Sequence, residues 1–186
     1  MACLSKIQSA ITYDCDSGSV GLLSALLINK EDIASFAFSA GSTSYVDSLT
    51  LKEGAKAYKI DTVKKSLVIT ESLKVNEGAP NAFTHSVTTT VTATQNSSLY
   101  RDLINPSANG SFVVLALGLK APGQTDNPVR VYGLYYGMSA TAIDRSSHEN
   151  GGWFTIAMST PERVIGEDTL SLMTSLYNTL YDAAVG

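Results

Sequence analysis

The segment 83–93 has the most regular alternation of polar and apolar positions in the chain. Its odd positions are mostly apolar and include His85, whereas every even position carries a hydroxyl: Thr84, Ser86, Thr88, Thr90 and Thr92. A side-chain period of two is typical of a strand with one buried face. The segment 67–75 also places apolar residues on one face, interrupted by Glu71, and a loop with Gly and Pro separates the two segments. We therefore predict a long antiparallel hairpin over 67–93.

Shorter apolar runs bounded by turn residues predict further strands. In chain order these cover residues 20–28, 33–38, 46–51, 55–61, 111–120, 129–140 and 153–160. The strand 111–120 contains the continuous apolar run FVVLALGL, so we expect it to be sandwiched between two layers. Residues 1–19 carry a polar turn cluster and are expected to form an irregular arm ahead of one domain over 20–186.

Two helices complete the expected fold. The first begins at Asn96, an N-cap residue type, and ends at Pro106. The second, over 167–184, has acidic residues at its start and an apolar stripe that would pack on a sheet. The stripe consists of Leu170, Met173, Leu176, Tyr177, Leu180, Tyr181 and Ala184. The sequence thus predicts a β-dominated α+β fold, an antiparallel sandwich or barrel with one short helix and a C-terminal packing helix.

Composition narrows the function classes. The 186 residues carry a net charge of −4, and only 16% are charged, compared with about 25% in ordinary globular proteins. This balance argues against a general nucleic-acid binder, which would show a basic stripe. The longest apolar runs fall well short of the ~20 residues that span a bilayer, and the N-terminus lacks the apolar core of a signal peptide. We expect neither a membrane anchor nor a leader.

Candidate catalytic and metal-binding residues are few. Cys3 and Cys15 are expected to be reduced thiols, and no spacing of Cys and His suits a metal. His85 is the strongest catalytic candidate because Glu71 could lie across the hairpin from it. Without a nucleophile or an oxyanion site, we interpret them as a polar pair within a sheet or interface. His148 lies in a polar loop and is expected to be solvated. We therefore expect no catalytic, cofactor-binding or metal-binding residues.

Two further groups of residues allow more than one interpretation. Five lysines concentrate near short strands and predict a lysine-protected sheet edge rather than a nucleic-acid patch: Lys52, Lys56, Lys59, Lys64 and Lys65. The tyrosines of 129–136 are expected to lie in the core or an interface. An alternative function uses these tyrosines or Trp153 to stack on a sugar, as in a carbohydrate-binding module. A hydrolase that uses His85 and Glu71 is a further alternative.

The order of elements resembles the tail tube, or major tail, proteins of phages and prophages of gut Bacteroidetes. The similar features run over nearly the whole chain: Cys15-Asp16, Gly21-Leu22-Leu23, the strand ending in Leu27 to Ile33, the paired strands 67–75 and 83–93, the helix near 96–104, and the strands 111–120, 129–137 and from 153. The segment 161–186 departs from the family pattern. Connector and terminator proteins share the tube fold and add helices, so they are alternatives within this resemblance.

The resemblance implies a virion structural protein made in the host cytoplasm. Its partners would be other copies of itself, in hexameric rings that stack into a tube, and neighbouring tail or connector proteins. Duplex DNA would pass through the lumen without specific binding. Edge-to-edge joining of sheets between subunits would use free strand edges for assembly. The resemblance implies no cofactor and no enzymatic activity.

Overall fold

The computed structural model of the protein describes residues 22–60, 67–91, 100–118, 129–145, 153–162 and 166–184. The described strands are β1 (Leu22–Asn29), β2 (Ile33–Phe38), β3 (Tyr45–Leu51), β4 (Tyr58–Lys59), β5 (Val68–Lys74), β6 (Ala82–Val91), β7 (Phe112–Gly118), β8 (Val129–Tyr132), β9 (Ser139–Arg145), β10 (Phe154–Ser159) and β11 (Leu170–Leu172). The described α-helices are α1 (Asn105–Asn109) and α2 (Thr174–Ala183). None of these helices is long and apolar enough to span a membrane.

The strands form two sheets. Sheet A has seven strands in the order β2-β3-β11-β8-β7-β1-β4, and sheet B has four in the order β5-β6-β10-β9. Pairing is antiparallel except between β11 and β3. This arrangement is the β-dominated α+β sandwich predicted from the sequence. Within the described residues, β5 and β9 each have one hydrogen-bonded neighbour and form the two edges of sheet B.

Strand β7 places side chains in both hydrophobic clusters of the core. Val113 and Leu115 point into a cluster with β1, β3, β8, β11 and α2, whereas Val114 and Ala116 point into a second cluster with sheet B. Sheet A is therefore the middle layer, with sheet B on one face and α2 on the other. The prediction that this strand lies between two layers is confirmed, and its continuous apolar sequence follows from burial on both faces.

The C-terminal helix α2 docks on sheet A of the same chain. Tyr177 is only 1% exposed and lies among the residues of the first cluster. Its hydroxyl lies 2.8 Å from the hydroxyl of Ser24, and its ring stacks on Tyr181 at 5.9 Å between centroids. Leu176 and Leu180 pack against the same cluster. The predicted packing helix is confirmed over this part of its length.

The start of the predicted helix 167–184 is wrong. Residues Leu170–Leu172 form β11, which pairs with β3 on one side and β8 on the other, and the helix begins only at Thr174. Leu170 and Leu172 are both buried with half-buried Ser171 between them, so a period of two replaces the helical period at this point. The gap between β3 and β8 offers this segment backbone partners on both sides, and a tertiary pairing of this kind overrides local helix preference.

The end of the predicted short helix is also wrong. Pro106 does not terminate it but lies in the first turn of α1, directly after a π-helical turn at Tyr100–Ile104. Proline suits this position because the amide hydrogens of a first turn have no intrahelical acceptor. Asn96, the predicted start, lies outside the described residues.

The predicted strand 129–140 is two strands in different sheets. Strand β8 ends at Tyr132, and β9 begins at Ser139 in sheet B. Gly133 and Gly137 in the intervening turn have φ of 76° and 74°, a conformation that side chains with a Cβ rarely adopt. This turn carries the chain from one sheet to the other. The expected strand 55–61 is likewise reduced to the two residues of β4.

Several expectations concern residues outside the described part of the chain. They are the arm 1–19, the two cysteines, Lys64, Lys65 and His148.

Replacement of Tyr177 tests whether α2 is part of the core. Tyr177→Ala removes a buried aromatic side chain, and we expect a loss of about 3–5 kcal/mol in the free energy of unfolding. Asn178→Ala, at the next and exposed position of the helix, is the control and should change stability by less than about 0.5 kcal/mol. Urea unfolding of both variants makes the comparison. Equal stability of the two would contradict the docking of this helix.

Candidate functional site

The predicted hairpin is confirmed in its described part. Strands β5 and β6 pair antiparallel from Val68 opposite Thr88 to Lys74 opposite Ala82. Glu71 lies directly opposite His85, as the sequence indicated. In the connecting loop, the Asn76 backbone N–H donates to Asn81 Oδ1 at 3.0 Å, and the Asn76 side chain donates to the Pro80 carbonyl at 2.9 Å.

The outer side of sheet B is lined almost entirely by hydroxyl and small side chains. Residues directly opposite one another in an antiparallel pair share a face. The register therefore places residues of β5, β10 and β9 on the same face as the even positions of β6. The set, which we call the hydroxyl face, comprises Val68, Thr70, Ser72, Lys74, Ala82, Thr84, Ser86, Thr88, Thr90, Thr155, Ala157, Ser159, Ser139, Ala142 and Asp144. The hydroxyls of Thr70 and Ser86 lie 2.9 Å apart across β5 and β6.

Among the described residues, the hydroxyl face carries two charged residues: Asp144 on β9 and Lys74, which lies opposite Ala82 at the end of β5. The ammonium of Lys74 donates a hydrogen bond to the Glu162 carbonyl at 2.6 Å. Arg145 pairs in register with Phe154, whose side chain is buried, and its guanidinium lies 5.5 Å from the centroid of that ring. Both cations are therefore engaged with other parts of the protein.

The lysine-rich segment belongs to the other sheet. Strand β4 is an edge of sheet A, as the lysine pattern predicted. Lys59 Nζ lies 4.4 Å from the centroid of the Tyr181 ring of α2, on the side of sheet A remote from sheet B. Lys52 and Lys56 are exposed. Of the described lysines in this group, Lys59 is thus separated from the hydroxyl face by the whole of the sandwich.

Behind the hydroxyl face, a chain of polar groups joins the two sheets. His85 is fully buried, and its Nε2 lies 3.4 Å from the hydroxyl of Thr169. That hydroxyl donates to Glu71 Oε2 at 2.7 Å. Tyr132 of sheet A shares a side-chain hydrogen bond with Glu71, and its ring meets the imidazole edge-on at 5.1 Å. The network therefore connects β5, β6, β8 and the residues before β11.

Residues 166–169, which we call the strap, cross the end of β6 before the chain enters β11. The Glu167 backbone N–H donates to the Phe83 carbonyl at 3.0 Å. Gly166 has φ of 98°, and a Cβ at this position would lie 2.7 Å from the same carbonyl. Only glycine permits this close approach without a shift of the backbone. On the same edge of β6, next to β10, the Thr160 N–H donates to the His85 carbonyl at 2.9 Å.

Burial governs the protonation of this region. Loss of hydration lowers the pKa of His85 below its usual 6.5, although the charges of Glu71 and Asp168 act in the opposite direction. Loss of hydration also raises the pKa of Glu167 above 4.5, against hydrogen bonds from backbone N–H groups and the charge of Lys30. Glu167 Oε2 accepts the Tyr135 N–H at 2.8 Å, whereas Oε1 is buried and has no hydrogen-bond partner. The neutral forms of His85 and Glu167 are thus more favoured in the protein than they are for the same side chains in water.

The geometry favours a structural role for His85 and Glu71 over a catalytic one. The imidazole is closed to solvent, so a substrate at the surface could not contact it in this arrangement. Within the described residues, no three His, Cys, Asp or Glu side chains gather where a metal ion could bind. The pair is better described as a hydrogen-bonded link inside the sandwich.

The tyrosines predicted to lie in the core or an interface separate into two environments. Tyr132 is buried in the network, whereas Tyr135 and Tyr136 are exposed in the turn between the sheets. The Tyr135 ring packs against Phe36 and Phe38 of β2, at 5.9 and 6.4 Å between centroids. Trp153 directly precedes β10 at the end that pairs with Arg145, whereas Tyr135 and Tyr136 precede the opposite end of β9, so these three side chains do not form one aromatic platform.

Sequence reasoning missed two members of the network, Tyr132 and Thr169, and the buried Glu167 of the strap. Tyr132, Thr169 and Glu167 come from β8 and the strap, which lie far from the hairpin along the chain. Thr169 and Glu167 also fell inside the predicted helix. Comparison with protein-family models, curated proteins and solved structures finds no match for this chain. The function is therefore inferred from the sequence and the geometry of the site.

Substitution of Gly166 tests the contact between the strap and β6. Gly166→Ala requires a strained positive φ and a clash with a backbone carbonyl, so we expect a loss of about 1–3 kcal/mol in unfolding free energy. Gly78→Ala is the matched control, because a Cβ there meets nothing within 4 Å. Chemical unfolding measures both. An effect of Gly166→Ala no larger than that of the control would contradict the described strap.

Proposed function

We propose that the protein is a self-assembling structural subunit of a bacteriophage tail, and that its rings form a conduit for duplex DNA. Such a subunit is made in the bacterial host cytoplasm and resides in the virion. The hydroxyl face of sheet B is the observation that carries this proposal. It covers four strands and is polar enough to face water, and its charged residues are Asp144 and Lys74, whose ammonium is hydrogen-bonded to the Glu162 carbonyl.

A surface of this composition suits a passage for DNA. Each lysine or arginine that contacts a phosphate releases counterions and adds salt-dependent affinity. A lumen with many such contacts would retain the duplex instead of letting it slide. Ser and Thr side chains keep the wall wet without supplying a cation, and the carboxylate of Asp144 repels phosphate. The lysines near β4 would lie on the outer side of the ring or in subunit contacts.

The edges of sheet B suit its continuation between copies. Strands β5 and β9 are each seven residues long, and each has one hydrogen-bonded strand neighbour among the described residues, although α1 also packs against β9. Pairing of β5 in one copy with β9 in the next would satisfy the unpaired backbone groups. Six copies would close about 24 strands into a ring roughly 37 Å across the backbone, at ~4.8 Å for each untilted strand. Strand tilt would widen this ring.

The end of the hairpin provides a second surface for contacts between copies. Leu73 and Val75 are 60% and 71% exposed, and Phe83, directly opposite Leu73, is 38% exposed. Grouped apolar side chains on a surface are typical of protein contacts. A neighbouring subunit, in the same ring or the next one, would cover them. Other tail or connector proteins are the partners expected at the ends of the assembly.

A head–tail connector or tail terminator ring is the alternative within the same class. The observation that favours it is the C-terminal unit of β11 and α2, which is integrated into sheet A and lies beyond the elements shared with the tube family. A single ring that does not stack would support this alternative. From a different class, a carbohydrate-binding module would use the exposed Tyr135 and Tyr136. It would form discrete oligomers and bind glycans.

Lysines placed on the hydroxyl face test the conduit directly. The unmodified assembly should bind duplex DNA weakly at physiological salt, outside the ~10⁻⁴–10⁻⁶ M range of nonspecific binders. The double variant Thr88→Lys and Thr90→Lys should retain DNA, and the retention should fall steeply as salt rises. Filter binding or sedimentation over a salt series measures this.

The matched control adds the same charge within β3 of sheet A and in the turn that precedes it. Thr43→Lys with Thr50→Lys uses two exposed threonines away from the hydroxyl face and should retain less DNA than the sheet B variant. Micromolar binding with a steep salt slope by the unmodified protein would reject the conduit and favour a DNA-packaging or DNA-coating role.

A charge at the end of the hairpin tests assembly. Leu73→Asp places a carboxylate at a 60% exposed position, so the free subunit should keep its thermal midpoint. In the assembly, the unpaired charge would be buried at a contact, which costs several kcal/mol. Negative-stain microscopy should show rings or tubes for the unmodified protein and for Thr43→Asp, but not for Leu73→Asp. Normal tubes from Leu73→Asp would exclude this end of the hairpin as an intersubunit contact.

A further inference from the structure

The hydrogen bonds around His85 determine which nitrogen carries the proton. The Thr169 hydroxyl has one hydrogen, which it donates to Glu71 Oε2 at 2.7 Å. The hydroxyl oxygen must then be the acceptor in its contact with His85 Nε2 at 3.4 Å. Nε2 is therefore the donor and carries the proton. Nδ1 is left as the bare acceptor of a neutral ring. It is buried and has no hydrogen-bond partner.

A second proton could enter the ring only at Nδ1. It would create a donor without an acceptor and a positive charge at a fully buried side chain. We propose that His85 makes the attachment of the strap to the hairpin acid-sensitive, so that proton uptake at Nδ1 releases residues 166–169 from β6. The device would work in a single chain and does not depend on the proposed assembly.

Polar and charged groups from every packed element face the imidazole. Glu71 approaches from β5, Tyr132 from β8, and Asp168 with Thr169 from the strap. The two carboxylates favour the charged ring, whereas burial opposes it. Burial is the larger effect and lowers the pKa of His85 from 6.5. Because Glu71 bonds to the Thr169 hydroxyl and Asp168 is exposed, neither carboxylate supplies the acceptor that Nδ1 lacks.

The direction of the pH effect follows from this lowered pKa. Below pH 6.5 the unfolded or detached state binds a proton that the attached state excludes. The contribution of His85 to stability is therefore complete above pH 6.5 and is lost as the pH falls toward the folded pKa. The limiting slope is about a tenfold loss in the equilibrium constant for each pH unit. Glu167 acts in the opposite direction, because its raised pKa gives stability at low pH that is lost as the pH rises.

Hydrogen exchange along the full chain tests the release. Between pH 7.5 and 5.0, after correction for intrinsic rates, protection of residues 82–86 and 166–172 should fall in the parent protein. The acid-dependent part of this loss should be absent in His85→Gln, which stays neutral throughout. Glu167→Gln should keep the loss, because it removes the opposing group. The same pH dependence in the parent and in His85→Gln would overturn the proposal.

Titration of the imidazole provides the second measurement. The chain has two histidines, so His148→Gln leaves His85 as the one imidazole signal in an NMR titration. We expect its pKa to lie below 6.5 and to fall further in Glu71→Gln, which removes a charge that favours protonation. Glu71 is exposed, so this variant remains usable if His85→Gln does not fold. A value at or above 6.5 would reject the acid-sensitive attachment.

Discussion

Burial of sheet A on both faces is the constraint on which the rest of the structure depends. Strand β7 has apolar side chains at consecutive positions, so it requires a layer on each side. Helix α2 supplies one layer, and the inner face of sheet B supplies the other. Once sheet B has used one face in this way, its second face has no counterpart among the described residues. The alternation in 83–93 follows directly, because one side of β6 must be apolar and the other must suit water.

Local sequence patterns predicted an element correctly where the spacing of its own apolar residues shows which of its faces are buried. The hairpin, β7 and β10 were predicted correctly because the period of their apolar residues records which sides are buried. The pattern failed at 167–172, where apolar spacing compatible with a helix is used by a strand inserted between β3 and β8. It also failed across 129–140, where two glycines of positive φ divide one apolar run between two sheets. Both errors arise from pairing partners that are distant in sequence.

The buried network shows the same limit for the candidate site. The opposition of Glu71 and His85 follows from hairpin register and could be predicted. The Thr169 hydroxyl between them could not, because it depends on how the strap crosses β6. A buried polar group is costly unless it is hydrogen-bonded, and here the half-buried Thr169 hydroxyl joins one nitrogen of the fully buried His85 to the exposed carboxylate of Glu71. The network thereby specifies how sheet B, sheet A and the strap fit together.

The edge strands of the two sheets differ in length and in their side chains, and this difference is relevant to the proposed assembly. An exposed strand edge invites pairing with another chain, and proteins restrain it with short strands and lysines. Strand β4 shows both devices, because it has two residues and includes Lys59. Strands β5 and β9 have seven residues each, and β5 continues into exposed apolar side chains at Leu73 and Val75. Threonine and serine between these edges retain strand preference without adding charge. Sheet B therefore has long edges, each with one acidic and one basic residue, and two inner strands without acidic residues, lysine or arginine, and such a sheet is suited to extend from one copy to the next.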